Sequence, residues 1–504
     1  KIKGLEGAQN REILYKLTEA QVRANQPEAA LITLKSKFFD NHPEREFWIA
    51  QAYAAQGKYL DAIEHFKSLD KSSSYTDAAR LSLASIQLAL DFQQDAVDNF
   101  LIASKSKDVV TRLKATATLA EIYLENGDLI NAQKMISTIP EGPKSALLGD
   151  LLKAKLAFAE KNYTDGIAKY SSLFENENQV HPRIYQIALL GLADARHAAG
   201  QTKEAMEGLM SFIEEHQESP ILLPIFERIS TWTPLPITAN SAHYQQLQSW
   251  AGRDEDDPNV LPQPKSSEFI TPSFPAPATL QTVSDNLKAI ALFYYAKHTA
   301  QLNDAGSLAK AQFELSSFRL AYPRHPLVGS SILETAKIEL LRGQRAQALT
   351  TLQTLVSMVE NKQVQLNSEA RSKAGFIAGL LSVEAQNYPE ALKAFEIASS
   401  SNNTEIANSA TINAGLAALR SSNLSAFDAQ KNKISDRELR TQLEIERALW
   451  LAHQMHEGAR EALSNFILKN PDNKRAIDAR IALASICATQ APLDPLLCKA
   501  LLET

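Results

Sequence analysis

Sulfur chemistry is almost absent from this chain: 504 residues contain two cysteines, Cys487 and Cys498. Two thiols alone cannot close a four-ligand structural zinc site. The pair reads as incidental, with a disulfide open to it if the chain is exported. Long apolar runs are missing too, and no stretch approaches the roughly 18 residues that a membrane-spanning helix needs. Nor does one sign of charge dominate. The 52 lysines and arginines against 58 aspartates and glutamates leave a formal charge of -6. Without a concentrated basic face to neutralise phosphates, nucleic acid is disfavoured as the main partner.

Catalytic signatures are equally scarce. There is no glycine-rich phosphate cradle followed by Lys and Ser/Thr, no H-E-x-x-H and no G-x-S-x-G elbow. His453 and His456 lie three apart and would share one face of a helix, but no carboxylate at ligand spacing joins them. They read as surface or structural histidines. Asp254, Glu255, Asp256 and Asp257 offer hard oxygen ligands without the alternating spacing and closing glutamate of a calcium loop, so they read as a solvated acidic turn. The expectation is a protein that is not an enzyme and has no cofactor and no metal. The chain begins at Lys1 rather than Met, which suggests that processing or trimming removed a preceding segment, a signal peptide among the options.

What the chain has is periodicity. Hydrophobic residues make up 44% and charged residues 22%, enough apolar material for a sizeable core. In "WIAQAYAAQGKYLDAIEHF" the residues Ala50, Tyr53, Gly57, Tyr59, Ala62 and Phe66 form a pattern of small and large apolar positions around one glycine. Ala84, Ala96 and Phe100 stand 34 residues further on. Ala120, Tyr123, Gly127, Leu129 and Ala132 follow, then Ala154, Tyr163, Gly166 and Tyr170, then Ala193, Gly200, Ala205 and Leu209. An earlier unit uses Ala30 and Leu34, with Pro43 expected to end its second helix. Two short helices with apolar stripes pack antiparallel across a tight turn, small residues let the backbones approach, and a glycine closes the first helix. One such pair leaves an apolar face uncovered, so copies stack.

These residues resemble the tetratricopeptide family, whose units are helix–turn–helix pairs of about 34 residues. The resemblance covers about three quarters of the chain and departs from the pattern at Gln87, which stands where Tyr53 would be, and at Gly166, which replaces the second alanine. It implies an all-α fold, a right-handed α-solenoid of antiparallel helix pairs interrupted by a proline-rich connector. Ten of the 21 prolines fall between Ser219 and Thr279, which divides the chain into arrays at 1–218 and 280–504 with a connector at 219–279. Short helices are expected there at 221–231 and 240–251, with Tyr244 and Trp250 pinning the segment to its neighbours. In the second array Ala309 and Phe313 define one register, followed by Ala336, Gly343, Ala348 and Leu352, by Gly379, Tyr388, Ala391, Phe395 and Ala398, by Ala414 and Ala426, and by Trp450, Ala462 and Phe466.

Consensus aromatics such as Tyr59 and Phe66 are core residues first, so partner-binding positions are sought among the variable residues of first helices. These are Glu46, Gln51, Arg80, Gln87, Lys114, Glu121, Lys155, Tyr185 and Arg196. Their amides and charges suit a protein or peptide segment lying in a concave groove. The reading is a non-catalytic scaffold or adaptor organising a multiprotein assembly. A second reading is a periplasmic or outer-membrane-associated module that assists polysaccharide or protein export, which exposed aromatic rings along the groove would favour.

Overall fold

The computed structural model describes residues 7–40, 44–69, 75–139, 143–174, 181–253 and 283–490, and no strand occurs among them. Contacts divide the chain into two compact units, Lys1–Glu215 and His216–Thr504. In the first, six helix pairs follow one another. They are α1 (Gly7–Arg23) with α2 (Pro27–Leu34), α3 (Arg45–Ala55) with α4 (Tyr59–Ser68), and α5 (Thr76–Ala89) with α6 (Gln93–Ala103). Then come α7 (Val109–Glu125) with α8 (Leu129–Ser137), α9 (Pro143–Ala159) with α10 (Tyr163–Ser172), and α11 (Pro182–Ala198) with α12 (Thr202–Glu215).

The second unit opens with α13 (Leu222–Trp232) and α14 (Ala242–Trp250). Its pairs are α15 (Asp285–Gln301) with α16 (Ala305–Ala321), α17 (Val328–Leu341) with α18 (Arg345–Glu360), and α19 (Ser368–Glu384) with α20 (Tyr388–Ala398). They continue with α21 (Thr404–Arg420) and α22 (Leu424–Lys433), then α23 (Arg437–His453) and α24 (Ala459–Lys469), before a last helix, α25 (Ala476–Gln490). Each unit is thus a solenoid of stacked antiparallel helix pairs.

The turn inside a pair repeats the same geometry. Gly57 lies at φ +74°, where L side chains are disfavoured. Its N–H bonds Ala54 O and the next N–H, of Lys58, reaches back to Tyr53 O, so the orphan carbonyls of α3 are satisfied. Left-handed residues recur at Asp91, Gly127, Lys161, Gly200, Asn303, Gly343, Gln386, Ser422 and Met455. In several units an Asp or Asn follows at once and caps the second helix. Asp128, Asn162, Asp304, Asn387 and Asn423 each accept the backbone N–H three residues on.

Packing explains the small residues. Ala50, Ala62, Ala84 and Ala96 are fully buried, with Phe66 and Phe100 filling the spaces between pairs. A buried ring of this kind contributes about 1.5–3 kcal/mol. First helices also touch their successors: α1 meets α3, α3 meets α5, and so on to α11, as do α15 through α25 in the second unit. In each unit they form one continuous layer, to which the second helices add an outer one.

Helix α15 departs from this scheme because it is apolar nearly all round. Leu287, Ile290, Phe293, Tyr294, Tyr295 and His298 are all buried. The cover comes from α13 and α14, the short helices expected in the proline-rich region. The Phe226 ring stacks on Tyr294 at 5.4 Å, and Trp250 meets Phe226 edge-on at 5.8 Å. The Tyr244 hydroxyl lies 2.9 Å from Thr299 Oγ1. Beyond α14, Arg253 Nε donates to Glu314 Oε2 on α16 at 2.9 Å, with both side chains almost buried.

Several sequence expectations need correction. Helix α2 ends at Leu34, followed by a 3-10 turn at Lys37–Phe39, so the chain leaves the helix well before Pro43. On α16 the inward residues are Leu308, Ala311, Leu315 and Phe318, whereas Ala309 is exposed and Phe313 is 40% exposed. On α22 Phe427, not Ala426, is fully buried. Tyr59 is 39% exposed. The acidic stretch Asp254–Asp257, the prolines from Pro258 to Pro277, His42, Pro43 and Cys498 lie outside the described residues.

Candidate functional site

The first-helix layer of the N-terminal unit carries the residues singled out from the sequence. Two polar links tie consecutive first helices together. Gln51 Nε2 on α3 donates to Ser82 Oγ on α5 at 2.8 Å. Lys155 Nζ on α9 donates to Glu121 Oε1 on α7 at 2.6 Å. Glu46 is engaged within its own pair, 2.6 Å from His65 Nδ1 on α4, and that imidazole stacks on Tyr53 at 5.3 Å. Gln87 is 3% exposed. Its Oε1 accepts from Asn99 Nδ2 at 2.9 Å, so the amide is spent joining α5 to α6. Tyr185 packs between Phe174, at 5.0 Å, and Phe212, at 6.2 Å. The remaining three, Arg80, Lys114 and Arg196, are at least partly exposed and, among the described residues, have no carboxylate in ion-pair range.

The C-terminal unit holds a cavity of about 810 Å³ that the sequence did not announce. It opens between two consecutive first helices, α21 and α23, at the level of the turn before α20. Leu416 and Arg420 come from α21, Glu446, Trp450 and His453 from α23, and Tyr388 from the start of α20. The Arg420 guanidinium sits 5.9 Å from the Tyr388 ring centre. Glu446 is held by Arg475 in the turn before α25, which leaves the exposed Arg420 as the cation without a carboxylate partner among the described residues. Trp450 is half-buried at the junction of two core clusters, one built around Phe427 and the other around Leu463. Together these groups provide an apolar floor, two aromatic walls and one fixed positive charge. That set accommodates a side chain of a polypeptide together with a neighbouring carboxylate.

Individual signals for this cavity were present. Trp450 falls on a repeat position, and His453 lies three residues before His456. Helix α23 ends at His453, however, and Met455 takes a left-handed conformation. His453 lines the α21–α23 cavity, whereas His456 lines a different depression against α24 and accepts the Gly458 N–H. The two imidazoles therefore do not share a helix face. Among the described residues no group of three or more His, Cys, Asp and Glu side chains is placed to hold a metal ion. No described helix is long and apolar enough to cross a membrane.

Residues 187–219, which comprise most of α11 and all of α12, match the tetratricopeptide repeat family. The chain thus has a tetratricopeptide-like repeat architecture. No curated protein matches it. Among solved structures it is similar to a chain in the crystal structure of the APC/C hetero-tetramer Cut9-Hcn1, at 13% identity and a TM-score of 0.34, over 98% of this chain and 96% of that one. It is also similar to yeast Tom70, at 12% identity and a TM-score of 0.33, over 99% of this chain and 100% of that one.

Proposed function

We propose that the chain is a non-catalytic scaffold that binds protein segments along its first-helix faces and so organises a multiprotein assembly. The observation that carries this reading is the layer of first helices itself. Fixed helices present Arg80, Lys114 and Arg196 in one unit and Arg420 with Trp450 in the other, at little ordering cost on binding. Cations without carboxylate partners favour a partner segment that carries acidic residues.

The experiment uses the full chain as bait, cross-linked to its partners in extracts, with the partner identified by mass spectrometry and then purified. A first variant reverses charge at Arg80, Lys114 and Arg196. A second combines Arg420→Glu with Trp450→Ala. At least one should weaken the purified complex about tenfold or more while far-UV circular dichroism stays unchanged. Undiminished affinity in both would defeat the proposal.

A second reading, guidance of a polysaccharide during export in the cell envelope, draws on Tyr388 and Trp450 facing one cavity. Sugar rings stack on such faces. Oligosaccharide titration followed by tryptophan fluorescence, in the parent chain and in Trp450→Phe, tests it directly.

A further inference from the structure

A second cavity, of about 680 Å³, lies in the C-terminal unit between the segment that follows α13 and the helices α15 and α17. Most of its wall is apolar, made by Leu235, Pro236, Ala300, Ile338 and Leu341. Leu235 is 72% and Leu341 59% exposed, so two large aliphatic side chains flank one opening. The polar residues of the lining are Lys297, Gln301, Asn303, Glu334 and Lys337. Lys337 on α17 is already paired with Glu334, Nζ to Oε1, at 2.7 Å. Gln301 and Asn303 add amides at the end of α15.

Lys297 is the exception. Its ammonium is largely withdrawn from water, 5.3 Å from the Tyr294 ring centre, and its one hydrogen bond is a long contact of 3.4 Å to Ser230 Oγ. Among the described residues no carboxylate is within ion-pair range of it. Burial pulls its pKa below the ordinary lysine value, with Glu334 and Glu227 opposing that at longer range and Lys337 and Lys373 adding to it. A part-buried ammonium with no counter-ion is costly, and here it borders a cavity of the size that takes small ligands.

We propose that this cavity binds a small molecule bearing a single carboxylate on a short apolar chain, the carboxylate meeting Lys297 and the chain lying along Leu235, Ala300, Ile338 and Leu341. With Lys337 neutralised by Glu334, the cavity offers one uncompensated positive charge. That matches a monoanion better than a phosphate dianion, which calls for several donors. The apolar wall selects against short hydrophilic acids. The site is independent of the α21–α23 cavity and of the scaffold reading.

Octanoate is the probe, with 1-octanol as its uncharged counterpart. The full chain is labelled with carbon-13 at the lysine ε-position, and the Lys297 signal is assigned by its loss in Lys297→Arg. Millimolar octanoate should move that signal saturably and raise the apparent pKa of Lys297, because a bound carboxylate favours the ammonium. Calorimetry should show octanoate binding at least about tenfold tighter than octanol, and about tenfold weaker in Lys297→Met. A Lys297 resonance that octanoate leaves in place, or equal affinity for acid and alcohol, would overturn the assignment. If Lys297→Met fails to fold by circular dichroism, the parent resonance and the acid–alcohol comparison decide.

Discussion

Lys155 on α9 and Glu121 on α7 stand 34 residues apart and meet at 2.6 Å, so the repeat length of the sequence becomes a direct contact between neighbouring first helices. The side chains retain 28% and 43% exposure. Water therefore screens the pair, and its expected worth is about 0.2–1 kcal/mol. Lys155→Glu should lower the unfolding free energy measured in urea by about 0.2–1 kcal/mol, through loss of the pair and new like-charge repulsion. Adding Glu121→Lys should restore most of it. A double-mutant cycle with no coupling between the two positions would remove the link from the account.

Gly379 on α19 marks a close approach of a different kind. A methyl group added there would sit 2.6 Å from the Phe395 ring on α20. Phe395 is fully buried and cannot withdraw. Gly379→Ala should cost about 1–3 kcal/mol despite the better helix propensity of alanine. Thermal unfolding would register this as a lower midpoint, and a neutral or stabilising effect would contradict the packing.

Met455 presents the opposite case. It closes α23 at φ +52° and is 56% exposed, so little packing is lost when its side chain is removed. Met455→Gly relieves a left-handed backbone worth about 1–2 kcal/mol, less the extra freedom of glycine in the unfolded chain. A net gain of up to about 1 kcal/mol is expected, measured by chemical denaturation. The same exchange reversed, Gly57→Ala at φ +74° with open space around it, should destabilise by about 1 kcal/mol.

His243 and His298 give the second unit a defined acid sensitivity. Their rings lie 5.2 Å apart, and His298 Nε2 is 3.0 Å from Ser230 Oγ. Burial lowers His243 to about 4, and burial together with the charges of His243 and Lys297 lowers His298 to about 3. Both are neutral in the fold at pH 7. Unfolded histidines take up protons near pH 6.5, so stability is fully present above that value. It then falls as pH drops toward the folded pKa values of about 4 and about 3. Denaturation midpoints measured from pH 7 to pH 4 should decline, and His298→Gln should make the decline shallower. An unchanged slope would show that other groups govern it.

The repeat was legible because its grammar is local. Ala50, Gly57, Ala62 and Phe66 lie within 17 residues, and each role follows from helical spacing alone. Register failed where Leu308 or Phe427, and not an alanine, takes the first inward position of the second helix. Asn303 and Ser422 occupy the left-handed position without announcing it, and the inward residues were placed at Ala309 and Ala426 instead of Leu308 and Phe427. The α21–α23 cavity stayed hidden for another reason. Tyr388, Arg420 and Trp450 come from three helices some thirty residues apart, and no single periodicity relates them. Nothing in the sequence marks Lys297, because its surroundings come from α13 and the segment after it, far away along the chain.

The order of elements around α15 bears on how the chain is made. A helix that is apolar on nearly every side would be an aggregation hazard if it left the ribosome alone. Its covers, α13 and α14, are encoded upstream, and α16 and α17 follow directly. Translation therefore delivers two of its shields before the helix itself. A helix buried on nearly every side thus emerges next to surfaces already made for it.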